Sequence, residues 1–518
     1  MQLEQKTIQT NEMGNSITHQ FHVSEEMNVP DVKEDVVRVL QSYGKIQIKE
    51  IQKVEQYLKI KGSLEYQILY ATDNESKRMV CLEGKILLEE MVYVEGTEKH
   101  QYTAKCNQLD VQTTLIHSRK INLNSLIELE IQSSLLKQEE ITVGLENETE
   151  VFERQKNLQV LQVRLIKKDT YRIKEEVKIP GTKENIGSIL FARVGNVKLD
   201  TRVMQDEITL QGELQFFCMY SSDEWKEDYI SQTVPFGGKI DCLGVDESMI
   251  HNIKYDLDDL VVDAQMDEDG EVRMFHIEAT LKLDLHIYEE ESVDLLEDMY
   301  MLEKKCLLHK IPTEVEVLLL QNQSKCKIVE TLVLPELKDE LLQICHTNGM
   351  VQVEHMEQRD EGIQIEGILH VDFLYIRGDD SLPYASWQGM IPFSHIIECQ
   401  SDGPVSYNVD TYLEQISITM AGNGEVEIKA IANFHSFIRY PETIQIIQSV
   451  DVIPYSREEL EEQAGIIGYI YKNEDSMWEL AKRFHTTIDG ILKINKIAEK
   501  DIKVGQKLLI FKENMSIL

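Results

Sequence analysis

"GSLEYQILY", Gly62 to Tyr70, returns as "GELQFFCMY", Gly212 to Tyr220, and as "GILHVDFLY", Gly367 to Tyr375. Each copy alternates with a period of two. In the first, Leu58, Ile60, Leu64, Tyr66, Ile68 and Tyr70 fall on one face, and Lys59, Lys61, Ser63, Glu65 and Gln67 on the other. Such alternation predicts a strand with one face buried, because successive side chains point to opposite sides. Gly62, Gly212 and Gly367 fall on the apolar face, where a missing side chain predicts a bulge or a close backbone approach.

The repetition reaches well outside the phrase. Val29-Pro30, Ile179-Pro180 and Leu334-Pro335 each stand at one fixed distance before their glycine, and Lys33, Lys183 and Lys338 follow three residues after each proline. Anchors at constant offsets in three places mark tandem duplication. "VKEDVVRVL" and "ELKDELLQI" after the prolines predict a short helix in each unit. "DGEV" from Asp269 and "NGEV" from Asn423 predict hairpin turns. The expected fold is mainly β: three antiparallel units, sandwich or open barrel with one short helix each, over residues 14–150, 151–305 and 306–453.

A charged linker, 454–465, precedes a different kind of module at 466–514. This module carries nine Lys or Arg against seven Asp or Glu, whereas the whole chain sums to −38. Its pattern is strand, helix, helix, strand (βααβ). Met477, Leu480, Ala481 and Phe484 form one helical stripe, and Ile488, Ile491 and Leu492 a second. Asp475 or Ser476 is placed to cap the first helix. Trp478 lies off the buried stripe, and Ile466 and Ile470 alternate away from Tyr469 and Tyr471. Together these three predict a small apolar patch for docking another protein. The alternative is that Trp478 packs on a neighbouring part of the chain and the isoleucines are scattered surface apolars.

The acidic balance argues against nucleic acid as a partner, since phosphate binding needs a positive footprint. No apolar run is long enough for a membrane span, and the N-terminus lacks the pattern of a signal peptide. Eight dispersed cysteines without C-x-x-C spacing fit reduced thiols, so the chain reads as intracellular and the sequons at Asn147 and Asn322 carry no weight. No catalytic, metal-ligating or phosphate-cradling motif is found, so no enzyme activity, cofactor or metal is expected.

The Pro…Gly…Tyr framework, with "IPFSHIIE" (Ile391 to Glu398) and "VPFGGKID" (Val234 to Asp241), resembles the SPOCS domain of clostridial spore-coat proteins; the first copy lacks the Pro-Phe element. Tyr469, Tyr471, Trp478, Asn495 and "GQKL" from Gly505 resemble the LysM domain. That resemblance implies a glycan groove between Asn473, Glu474, Asp475 and Ser476 on one side and Asn495, Lys496 and Ile497 on the other. Glu474-Asp475-Ser476 departs from the family's usual Gly-Asp-Thr and brings a charged side chain to the sugar's place. The whole architecture resembles the spore-coat morphogenetic family of the SpoVID and SipL type. It implies a non-enzymatic assembly factor in the mother cell, at the forespore surface. Its LysM would dock a coat morphogenetic ATPase of the SpoIVA type, and its β repeats would self-associate. The alternative is a LysM protein that binds peptidoglycan through N-acetylglucosamine.

Overall fold

The computed structural model describes residues 1–74, 77–95, 99–146, 150–222, 226–338, 340–379, 383–422, 424–456, 458–459 and 465–512. The sequon at Asn147, the turn residue Asn423 and half of the linker lie outside the described residues. The body is built of eighteen antiparallel strands, six to a repeat. The first repeat holds β1 (Leu3–Asn28), β2 (Arg38–Val54), β3 (Tyr57–Ala71), β4 (Met79–Tyr93), β5 (Gln101–His117) and β6 (Lys120–Leu145). They form two three-stranded sheets, β1-β6-β5 and β2-β3-β4.

The second repeat runs β7 (Val151–Lys178), β8 (Ile186–Met204), β9 (Glu207–Ser222), β10 (Glu227–Asp241), β11 (Ile250–Met266) and β12 (Val272–Met301). The third runs β13 (Lys304–Val333), β14 (Leu341–Arg359), β15 (Gly362–Arg377), β16 (Tyr384–Glu398), β17 (Ser406–Gly422) and β18 (Glu425–Pro454). Both repeat the pairing of the first. The antiparallel β class and the threefold repetition are as the sequence predicts.

The repeated phrase is the central strand of one sheet in each unit: β3, β9 and β15. Its glycine permits a close approach. A Cβ on Gly62, Gly212 or Gly367 would run into the backbone oxygen of Gln47, Lys198 or Gln352 on the preceding strand. Tyr70 and Tyr220, at the far end of the phrase, are fully buried, and Tyr70 Oη donates to the Glu34 carbonyl at 3.1 Å.

Among the described residues the helix expected after each proline does not form. In the first two repeats the segment is a tight turn, closed by the Lys33 and Lys183 amides on the Pro30 and Pro180 carbonyls. An arginine from another hairpin takes the carbonyls that a helix would need. Arg119 donates to the Val29, Pro30 and Lys33 oxygens at 3.1, 2.8 and 2.6 Å. Arg273 does the same to Pro180 and Lys183. β-Branched residues such as Val36, Val37 and Val39 then favour strand over helix. Only the third repeat keeps a single 3₁₀ turn, Pro335–Leu337.

The three repeats also pack on one another. Leu69, Met219 and Leu374 each stand seven residues after the glycine of their copy, on the face expected to be polar. They meet in one apolar cluster with Leu40, Phe217 and Tyr384. That face is therefore buried as well, against the other two repeats rather than within its own. The first and last strands of each repeat run on past their sheets as two-stranded arms. The arms converge on a second shared cluster containing Ile8, Ile141, Val160, Leu295, Val315 and Ile446.

Each repeat touches both others, so the arrangement closes. Gln47 donates to Asp258 at 2.8 Å, Arg193 to Asn348 at 2.9 Å, and Thr142 to the Ile447 carbonyl at 2.6 Å. A cavity of about 2760 Å³ lies among the repeats.

Candidate functional site

The C-terminal module follows the expected βααβ order: β19 (Ile466–Ile470), α1 (Met477–Arg483), α2 (Ile488–Asn495) and β20 (Lys507–Phe511). Met477, Leu480, Ala481 and Ile491 are fully buried with Leu508 and Ile510. Ser476 caps α1 by accepting from the Glu479 amide at 3.1 Å, and Thr487 caps α2 by accepting from Gly490 at 2.9 Å. Both caps satisfy backbone N–H groups that have no helical partner.

The residues expected to form a sugar groove are mostly engaged within the module. The Asp475 carboxylate accepts from the Tyr469 hydroxyl at 3.1 Å and from the Lys472 amide at 2.7 Å. Asn495 ties α2 to β20: its amide donates to the Ile491 and Leu509 carbonyls, and its oxygen accepts from the Leu509 amide at 2.8 Å. Ile497 packs against the module's core. Asn473, Glu474 and Lys496 are exposed, and Lys496 adopts the left-handed backbone that ends α2.

The three residues read as a docking patch divide. Ile466 and Ile470 each keep 55% of their surface exposed, on the outer face of the β19–β20 ribbon. Leu509, opposite Gly468 in register, adds a third exposed apolar side chain to that face. The sequence reading missed Leu509, although its alternation with Leu508 and Ile510 in β20 is visible. Trp478 points to the body instead. Its Nε1 donates to Asp298 at 2.7 Å, and its ring meets Tyr300 edge-on with centroids 5.0 Å apart. Arg154 covers the indole, and Lys482 donates to both Asp298 oxygens at 2.6 and 2.8 Å. The Tyr300 hydroxyl donates to the Thr486 carbonyl at 3.0 Å. Trp478 is therefore the anchor that seats the module on the second repeat's arm, in line with the alternative reading of that side chain.

Burial works against the charge on Asp298, yet the Lys482 and Trp478 hydrogen bonds hold its carboxyl below the ordinary value. In the central cavity the charges are paired across repeats. Asp410 stands 3.9 Å from Lys105 and 3.6 Å from Lys254, and Lys45 lies 3.7 Å from Asp256. Among the described residues no cluster of His, Cys, Asp or Glu has the arrangement of a metal site. All eight cysteines are unpaired, and burial pushes the Cys81 and Cys345 thiols up to about 12. No helix among the described residues is long and apolar enough to cross a membrane.

Residues 35–116, 185–265 and 340–421 match the family model of the SipL SPOCS domain, and residues 469–511 match that of the LysM domain. Each SPOCS match spans the four middle strands of a repeat, and the arm-forming first and last strands lie outside it. No curated protein and no solved structure matches the chain.

Proposed function

We propose, from the premise that three domains of this chain belong to the SipL SPOCS family and a fourth is a LysM domain, that the protein is a non-enzymatic assembly factor of the spore coat. The repeats form the scaffold, and the LysM domain docks a coat morphogenetic ATPase at the forespore surface in the mother cell. One observation carries this reading. With α1 committed to the arm, the module turns outward a sheet face bearing Ile466, Ile470 and Leu509, and desolvated apolar anchors dominate protein interfaces. A sugar needs free polar groups to orient it, and two of those expected to serve, Asp475 and Asn495, are already spent on the module's own backbone and Tyr469.

The test is co-purification of partners from sporulating cells with the full chain, with a chain lacking residues 466–518, and with Ile470→Glu. Capture of the ATPase is expected from the full chain, none from the truncated chain, and a loss of about thirtyfold for Ile470→Glu, about 2 kcal/mol at an interface anchor. Strong retention on insoluble peptidoglycan, abolished by changes at Glu474 to Ser476, would replace this reading with the glycan one.

A further inference from the structure

We propose that β4 is a self-association edge, where two copies of this chain pair their β4 strands antiparallel about Leu87. β4, β10 and β16 are the equivalent outer strands of the three β2-type sheets, each hydrogen-bonded on one side only. Leu88, Phe236 and Phe393 lie opposite the three repeated glycines. The residue before each is Leu87, Pro235 or Pro392. Both proline-bearing ladders run without a register shift, so each ring nitrogen lies on the open side, where proline removes the donor that an added strand would need.

The acceptor two residues further along is blocked too. The Gly237 carbonyl accepts from the Tyr171 hydroxyl at 2.6 Å, and the Ser394 carbonyl accepts from the Cys326 thiol at 3.9 Å. In the first repeat the position of Tyr171 and Cys326, which stand nine residues before Pro180 and Pro335, is taken by Phe21, nine residues before Pro30, and it carries no donor. Thus two of three equivalent edges are closed at donor and acceptor alike, and the first repeat's is open at both. Leu87 there is 81% exposed, with Met91 and Tyr93 about half exposed on the same face.

The occupant follows from the charge pattern. Lys85 and Glu89 stand symmetrically about Leu87. A twofold pairing centred on Leu87 sets Leu87 against Leu87 and each Lys85 against the other copy's Glu89. Within one chain Lys85 already meets Glu65, and Glu89 meets Lys59, both at 2.6 Å. The pairing therefore extends an alternating row of charge, and opposite charges facing across strands stabilise the pair. A foreign strand has no reason to match this symmetry, whereas a second copy does so necessarily and closes as a dimer.

Sedimentation of the full chain at roughly 50 µM, well above a micromolar dissociation constant, is expected to show a dimer. Leu87→Pro installs what the other two repeats already carry, so a monomer with an unchanged thermal melt is expected. Lys85→Glu changes no backbone and sets like charges against each other twice, which is expected to raise the dissociation constant about tenfold. A wild-type monomer overturns the proposal, including one that captures an unrelated extended peptide at β4. So does a dimer that survives Leu87→Pro or, should that variant fail to fold, a Lys85→Glu dimer of unchanged affinity. Partner capture by the LysM domain is expected to persist in either variant, which separates this test from that of the docking face.

Discussion

Trp478 holds the C-terminal module to the body through one hydrogen bond, one edge-on aromatic contact and one cation. A negative side chain at that position would face Asp298, which is already 95% buried. Trp478→Glu is therefore expected to release the module from the arm while leaving the core around Leu480 and Ile491 intact. Hydrogen exchange would show this as lost protection at residues 298–302 and in α1. Unchanged protection there would mean that the contact is incidental. Acid is expected to act on the same contact. Because the folded-state pKa of Asp298 is depressed, its contribution is complete above the ordinary carboxylate value of about 4 and is lost as the pH falls through the lower folded value. The emission of Trp478, taken as the difference between wild type and Trp478→Phe, should be constant above that value and shift to the red below it. The repeated glycines make a second demand at this scale. Gly62→Ala must move the Gln47 backbone, for a loss of about 2 kcal/mol in a denaturant melt. Gly181→Ala, with open space around the added carbon, serves as the neutral control.

Elements written in a local period were legible in the sequence, and elements decided by a distant partner were not. The nine-residue phrase declares its strand because alternation is a property of neighbouring residues, and the stripe at Met477, Leu480 and Ala481 declares α1 for the same reason. "VKEDVVRVL" looks helical until Arg119, some ninety residues away, claims the carbonyls of Val29, Pro30 and Lys33. The arms were hidden differently. β12, β13 and β18 are 30 residues long, far beyond the usual 3–10, and their outer halves gain a buried face only where three ribbons meet. The same holds for Leu69, Met219 and Leu374, whose apolar character interrupts the alternation at one fixed offset in all three copies. A break in period that recurs at one position is itself a signal of packing between repeats. In the C-terminal module, Ile466 and Ile470 could be placed on the open face from alternation alone. The orientation of Trp478 could not, because Asp298 and Tyr300 belong to another repeat.

At the scale of the whole molecule, one chain makes a closed arrangement that three separate SPOCS units would otherwise have to assemble. The apolar clusters around Leu69 and around Ile8 are contributed by all three repeats, so no two of them can satisfy these surfaces. Removing the third repeat would uncover Phe217 and Met219, now 1% and 0% exposed. It would also take away the Tyr412 ring stacked on Tyr255 at 4.3 Å and the His346 ring stacked on Phe217 at 4.1 Å. Exposed apolar surface on that scale drives association. Residues 1–302 alone are therefore expected to bind a hydrophobic dye and to lose cooperative unfolding. Residues 303–454 supplied as a separate chain should restore both, because burial between repeats does not depend on the connecting peptide. A two-repeat fragment that stays monomeric and melts cooperatively at the temperature of the full chain would show that the repeats are beads on a string. The shared clusters would then contribute nothing to stability, and the body could not hold its C-terminal module in one fixed orientation.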